Sequence, residues 1–358
     1  MKKALSILLA LVMVFALVAC GGNEAGTPGN EAPVDNGETY NLIVSLTKGE
    51  KNTTALQEYL ADIESASNGR ITFEIYFSGQ LLAVPEIPQG LETGVADISE
   101  FVLAEFATMF PLSSTIVGMP FMGMTNDTIK TFQRLYDEFP AIQQEFSDNG
   151  MVLLNYLCTQ PYNFHMTGSD PITLPEHLAG QKVITTRTDI TNFLQSVGAS
   201  AVASAPPDFY TNLSNGVVNG TLLHYPMMYN NGLIETCKQH LLVEEGGGIY
   251  MDTSVYVMSS AAWEKLPADL QALFTDEARL ERFFSYNQET MEADSAKGLA
   301  ACEAQGNIIH YMNAEELAAW KAAFAPINEA TLANLDGQGL PATEIYERAL
   351  EIIAELKG

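Results

Sequence analysis

Residues able to carry chemistry are few in this chain, and they are scattered. Of five histidines, His165, His177, His224, His240 and His310, none lies at ligand spacing from a cysteine or another histidine. Each therefore reads as a surface or satisfied core residue, and no metal site is legible. The chain has no G-x-S-x-G nucleophile elbow, no H-E-x-x-H pair, no C-x-x-C, no phosphate loop and no dinucleotide fingerprint. Catalysis and a bound cofactor are thus not expected. Gly246-Gly247-Gly248 has neither a following lysine nor a G-x-G-x-x-G continuation, and it reads as a flexible crossing between lobes. Arg187 is different. Apart from Arg134 it is the only arginine between Arg70 and the C-terminal helices, and it joins a predicted strand to a helix N-terminus, where anions are favoured. A guanidinium there either takes a carboxylate or is a solvated loop residue, and both readings stand open.

The elements that position these residues alternate. Tyr40 to Leu46 alternates as a strand, and a helix capped at Thr53 or Thr54 puts Leu56, Tyr59, Leu60 and Ile63 on one face before Asn68-Gly69. Arg70 to Phe77 predicts a strand, a helix then ends near Gly94, and Ala96-Asp97-Ile98 begins another strand. This βαβαβ order implies a parallel sheet with helices on both faces. The pattern returns over Lys182 to Thr185, Asp189 to Ser196, Pro207 to Asn215 and Val217 to Leu223. From Trp263 to Gln305 the chain is helix-forming, followed by a strand at Asn307 to Tyr311 and helices at Ala314 to Leu335 and Thr343 to Leu356.

The N-terminus reads as a leader. Met1-Lys2-Lys3 is a positive start, Ala4 to Ala16 is apolar, and Leu17-Val18-Ala19-Cys20 has the small-residue cleavage pattern of a bacterial lipoprotein signal over residues 1–19. Lipidation of Cys20 would anchor the chain outside a cell membrane. Gly21 to Glu38 is rich in Gly, Asn, Pro and acid, so residues 20–38 read as a disordered tether with a span of roughly 20–25 Å. About 320 residues follow, more than one core serves, so two lobes are expected. The formal charge of −27, near −29 once Lys2 and Lys3 are removed, disfavours nucleic acid and anionic membranes as partners. Cys158, Cys237 and Cys302 are too few and too separated for a disulfide framework, and they read as buried thiols.

Several blocks together resemble one family. They are Ser78-Gly79-Gln80-Leu81, Gly90-Leu91-Glu92-Thr93-Gly94-Val95-Ala96-Asp97, Phe110-Pro111-Leu112 with Met119-Pro120-Phe121, and Leu178-Ala179-Gly180-Gln181-Lys182-Val183. Gly198-Ala199, Tyr210 to Leu213 with Gly216-Val217-Val218-Asn219-Gly220, and Ala262-Trp263-Glu264-Lys265-Leu266-Pro267 complete them. In order and spacing the chain is similar to the solute receptors of tripartite ATP-independent periplasmic (TRAP) transporters, of the dicarboxylate-receptor type. The resemblance implies a two-lobed periplasmic-binding-protein-like α/β fold, with one lobe over 39–161 plus about 248–288 and the other over 162–247 plus about 289–358. It implies a long helix, beginning at Trp263, that spans both lobes. It also implies a monomer that closes on a small-molecule solute and delivers it to integral membrane permease subunits.

The resemblance fails at the solute. The family's carboxylate-binding arginine, two residues past the lysine of Leu178 to Val183, corresponds to Ile184. A second basic position falls at Phe164, and a polar contact falls at Leu223 beside His224 and Tyr225. An isoleucine cannot replace a fork of donors. Either Arg187 takes the carboxylate, or the solute is not a simple carboxylate. Tyr156, Tyr162, Phe164, Tyr210 and Tyr225 are expected around the cleft, where rings suit a ring-bearing acid, a neutral ring or a cation. An organic acid with an aromatic or apolar part reconciles these features. The alternatives are a receptor for an ATP-driven importer or a sensor, and an extracellular lipid-anchored hydrolase.

Overall fold

The computed structural model describes residues 37–123, 125–243 and 247–357. The expected leader, Cys20, the tether up to residue 36 and Gly246 lie outside the described residues. The chain opens with β1 (Tyr40–Ser45), α1 (Thr54–Ala66), β2 (Ile71–Tyr76), α2 (Ile87–Glu92) and β3 (Ile98–Val102), the anticipated βαβαβ order. Next come α3 (Pro111–Ile116), α4 (Thr125–Glu138), α5 (Pro140–Asp148), β4 (Met151–Cys158) and β5 (Asn163–Met166). The opening pattern returns as β6 (Lys182–Ile184), α6 (Thr188–Ser196), β7 (Ser200–Val202), α7 (Phe209–Ser214) and β8 (Gly220–Leu223). Then follow α8 (Tyr225–Asn230), β9 (Gln239–Leu242), β10 (Thr253–Ser259), α9 (Ser260–Trp263) and α10 (Ala268–Phe274). The chain closes with α11 (Glu277–Ala304), β11 (Ile308–Tyr311), α12 (Ala314–Gly337) and α13 (Ala342–Lys357).

Two sheets result, one ordered β2-β1-β3-β10-β4 and the other β11-β9-β5-β8-β6-β7. The βαβ units are parallel, as their crossover helices require. Neither sheet is wholly parallel, however. β10 runs antiparallel between β3 and β4, and β5 runs antiparallel between β8 and β9. Both strands enter directly from the other lobe rather than through a helix, which frees them from the parallel constraint.

The two lobes use the same local chemistry. Gly94 and Gly216 take positive φ, 75° and 68°, at the ends of α2 and α7, where a Cβ would be strained. Three residues on, Asp97 Oδ2 accepts the Ile43 N–H at 2.8 Å, and Asn219 Oδ1 accepts the Lys182 N–H at 2.9 Å. Each side chain ties the start of its own strand to the lobe's first strand, so β3 and β8 emerge at corresponding places. Their carboxyl ends face the groove between lobes, where open α/β sheets bind ligands.

Packing corrects two expectations. The long helix begins at Glu277, not Trp263: Leu266-Pro267 interrupts the earlier turn, and Asp276 Oδ1 accepts the Arg279 N–H at 2.9 Å to cap a new start. Trp263 packs edge-on against Phe274 instead. The last helix, expected with the second lobe, joins the core of the first through Ile345, Ala349 and Ile352, against Phe132, Leu135 and Ile142. Its apolar stripe finds its partner on α4 and α3, because α12 carries the chain back across. Cys158, Cys237 and Cys302 are free and buried, and burial pushes each thiol up to about 12.

Candidate functional site

Two short segments link the lobes side by side. Residues 159–162 lead from β4 to β5, and residues 249–252 lead into β10. They are paired by hydrogen bonds from Thr159 N to Asp252 O at 2.8 Å and from Tyr162 N to Tyr250 O at 2.9 Å. Tyr162 and Tyr250 stack at 4.5 Å with 13° between planes. Gly248, expected as part of a flexible crossing, is a point of close approach: an added Cβ would lie 2.4 Å from Pro161 Cβ and 2.7 Å from Tyr162 O.

Beside this crossing lies a cleft of about 990 Å³, a size suited to a small solute. The second lobe contributes Tyr162, Ile184, Leu223, Phe209 and the turn Thr185 to Asp189; the first contributes Glu105, Ser114 and Met119; α12 adds Asn328 and Thr331. Pro326 lies inside α12 just before these two residues. Ser114 Oγ is buried without a protein partner.

Arg187 is the centre of the charge. It caps α6 from an extended conformation, which turns its side chain back toward the crossing. Its Nε donates to Asp189 Oδ1 at 3.1 Å and its Nη2 to Asp189 Oδ2 at 2.7 Å, a bidentate pair. Nη1 donates to Asp252 Oδ1 at 2.8 Å, and Nη2 also donates to Gly118 O at 2.9 Å in the first lobe. The guanidinium lies 4.3 Å over the Tyr250 ring. Burial raises the Asp252 carboxyl above the ordinary value, although Arg187 opposes this. Burial likewise raises Glu105, against a hydrogen bond from Val102 N–H. The loop reading of Arg187 is thereby replaced: its side chain is only 15% exposed.

The first lobe has a corresponding cation. Counting five residues on from Ile43 and from Lys182, the two strand positions tied to Asp97 and Asn219, Lys48 matches Arg187. Lys48 Nζ lies 3.0 Å from Ser254 Oγ and 3.4 Å from Glu100 Oε2. Glu100 is fully buried, and its other oxygen accepts from the N–H groups of Thr47 and Lys48 and from the Thr47 hydroxyl.

The remaining anticipated side chains divide. Tyr162, Ile184, Leu223 and Arg187 line the cleft. Phe164 does not: it is fully buried against Trp320 at 5.3 Å, because its place on β5 faces the packing side of the sheet. Tyr225 is also core, edge-on to His165 beneath α11, and Tyr210 is 45% exposed on the outer side of α7. His224 caps α8, its Nδ1 accepting the Met227 N–H at 3.2 Å, and packs on Tyr162. Tyr156 belongs to the first lobe's core. Sequence reasoning missed Tyr250, Asp252 and Glu105, which no motif marks, and Asp189, whose spacing from Arg187 was the available signal. Among the described residues no group of three His, Cys, Asp or Glu could hold a metal ion.

Two α/β lobes joined by a paired crossing, with a solute-sized cleft at the strand ends, have the architecture of an extracytoplasmic solute-binding protein. The chain belongs to the bacterial extracellular solute-binding proteins of family 7, whose model matches residues 45–334. It is 23% identical over 292 residues to the C4-dicarboxylate-binding periplasmic protein DctP of Rhodobacter capsulatus, covering 78% of this chain and 82% of that one. Its fold matches a TRAP solute-binding protein from Rhodoferax ferrireducens in complex with copurified benzoate, at TM-score 0.75 and 24% identity, covering 88% and 98% of the two chains. It also matches a marine metagenome TRAP solute-binding protein specific for aromatic acid ligands, in complex with 3-hydroxybenzoate, at TM-score 0.76 and 23% identity, covering 89% and 99%.

Proposed function

We propose that this receptor captures a small organic acid with an aromatic or apolar part, closes its lobes over it, and hands it to the integral membrane permease subunits of a TRAP transporter. The observation that carries the reading is Arg187, a buried guanidinium at the strand-to-helix turn of the cleft, set over the Tyr250 ring in a cleft that Tyr162 and Phe209 also line. The ring-bearing acids held by two similar receptors support it. A monomer without enzymatic activity, anchored through a lipid on Cys20 and swinging on the tether of residues 20–38, fits this role. No described helix is long and apolar enough to cross a membrane, so the proposed lipid would supply the attachment.

A second reading, a neutral or cationic ring, is favoured by the carboxylates of Asp189, Asp252 and Glu105 around the one arginine. Calorimetric titration with benzoate, 3-hydroxybenzoate, polyols and quaternary amines separates the two. If the acid reading holds, Arg187→Ala costs about 2–5 kcal/mol of acid binding, because the carboxylate is left unpaired in a closed site. Arg187→Lys, which keeps a charge for Asp252 but loses the fork, should lose most of the same affinity. Full acid affinity in both variants would reject Arg187 as the acid's partner.

A further inference from the structure

Arg187 offers five N–H donors, and the protein already uses four: Nε and one Nη2 hydrogen on Asp189, the second Nη2 hydrogen on Gly118 O, and one Nη1 hydrogen on Asp252. A solute carboxylate that approaches Nη1 finds only one of its two hydrogens free, the other being held by Asp252. The two aspartates are not equally fixed. Asp189 belongs to the same helix, and its Oδ1 also accepts the Ile190 N–H at 2.9 Å. Asp252 reaches Arg187 from the crossing, lines the cleft and is 13% exposed. Its carboxylate also lies beside Tyr162, which favours its charged form. Its backbone is held independently, its N–H donating to Thr159 Oγ1 at 2.9 Å. The carboxylate can leave Arg187 without unravelling the hinge.

The charge argument points the same way. Facing Asp252 are Arg187 and Asp189 from α6, Tyr162 and Tyr250 from the crossing, Glu105 beyond β3, and Cys158 at the end of β4. A solute anion would add a further negative charge beside Asp189, Asp252 and Glu105, with Arg187 set against the two aspartates and Lys48 acting on Glu105.

We infer that Asp252 is a specificity-determining residue: it occupies the edge of Arg187 that a solute carboxylate needs, and a bound acid displaces it, with the displaced carboxylate taking up a proton from solvent. The inference rests on the reading of the chain as an acid receptor. Because Arg187 is competent only in the fraction of molecules where Asp252 has let go, the apparent affinity for a plain acid is reduced by that fraction. Burial already holds the Asp252 carboxyl above its ordinary value, so removal of its cation carries it toward protonation.

The test is calorimetry of the mature chain with benzoate and 3-hydroxybenzoate at pH 6.5, in two buffers of different ionisation enthalpy. Wild type should take up protons on binding. Asp252→Asn, which keeps the shape, should bind about tenfold tighter or more, with proton uptake falling toward zero. Asp252→Ser is the second variant. Folded Asp252 variants that bind the acids no tighter than wild type overturn the competition, as does wild-type binding without proton uptake. That proton count decides the matter even if neither variant folds. Acid affinity that survives Arg187→Ala instead sinks the acid-at-Arg187 reading on which the inference stands.

Discussion

His165 and His240 form a hydrogen-bond chain whose direction is fixed by the carbonyl at its end. Leu223 O can only accept from His165 Nε2 at 3.0 Å, so His165 Nδ1 must accept from His240 Nδ1 at 2.7 Å, and His240 Nε2 accepts from Asn307 Nδ2 at 3.1 Å. Both rings are almost fully buried, and the arrangement works only while both are neutral. Burial, reinforced by Lys238, lowers His240 to about 4, and burial with His240 beside it lowers His165 well below its usual value. The unfolded chain binds these protons near pH 6.5 and the folded chain does not, so stability is present above 6.5 and is lost as pH falls from there toward 4. His240 alone contributes about 3 kcal/mol of this loss, from the difference between 6.5 and about 4. Urea unfolding at pH 7.5 and 4.5 should show a smaller drop in His240→Gln than in wild type; an equal drop would remove the pair from the explanation. Neither histidine carries a sequence signal for this pairing, because β5 and β9 bring together positions 75 residues apart. Ile184 and Arg187 were legible because they sit inside a block of recognisable spacing. Asp252 was not, because its meaning comes entirely from the crossing that sets it beside Arg187.

Secondary structure was legible where amphipathic periodicity exists. β1, α1, β2 and the repeated unit from β6 to β8 show it, and the pattern predicted them. β4 and β10 do not alternate: every residue of Thr253–Ser259 is buried, so the segment is covered on both faces and its periodicity vanishes. The antiparallel crossing strands were therefore missing from the sequence reading, and the sheets were expected to be parallel. α11 was legible as a helix, but its start was masked by the helix-forming residues before Leu266-Pro267. Where α11 passes the second lobe it crosses α8 at Gly298, and a Cβ there would sit 3.0 Å from both Tyr225 Cβ and Tyr225 O. Two effects oppose each other at this position. Replacing a helical glycine by alanine favours the helix by about 1 kcal/mol, whereas overpacking a close contact against backbone costs about 1–3 kcal/mol. Because the neighbour is a carbonyl, the clash should win. Gly298→Ala is expected to lower the thermal midpoint, read by calorimetry, and a raised midpoint would mean that α8 yields easily.

The molecule as a whole is a pseudo-symmetric pair that has exchanged strands. β2-β1-β3-β10-β4 matches β7-β6-β8-β5-β9, with β11 added outside, so β10 and β5 occupy the same place in opposite lobes. Each exchanged strand is reached through one arm of the paired crossing, which makes that crossing the natural hinge, with α11 running alongside. Arg187 joins both sides of it through Gly118 O and Asp252. A solute that engages Arg187 therefore acts on contacts that bridge the lobes, and closure follows if the closed form offers it contacts the open form lacks. At a solute concentration of 100 times Kd, binding adds about 2.7 kcal/mol to the stability of the folded state. The proposed anchor should be independent of all this, because the cleft is lined by residues from Val102 onward. Cys20→Ser should lose the detergent partitioning of wild type yet still bind one solute per chain. In small-angle scattering the freed chain should become more compact when saturated with the acid that binds best, and its melting point should rise with solute concentration. Equal detergent partitioning of the two forms would count against lipidation, and a tight solute that leaves the scattering profile unchanged would count against hinge closure.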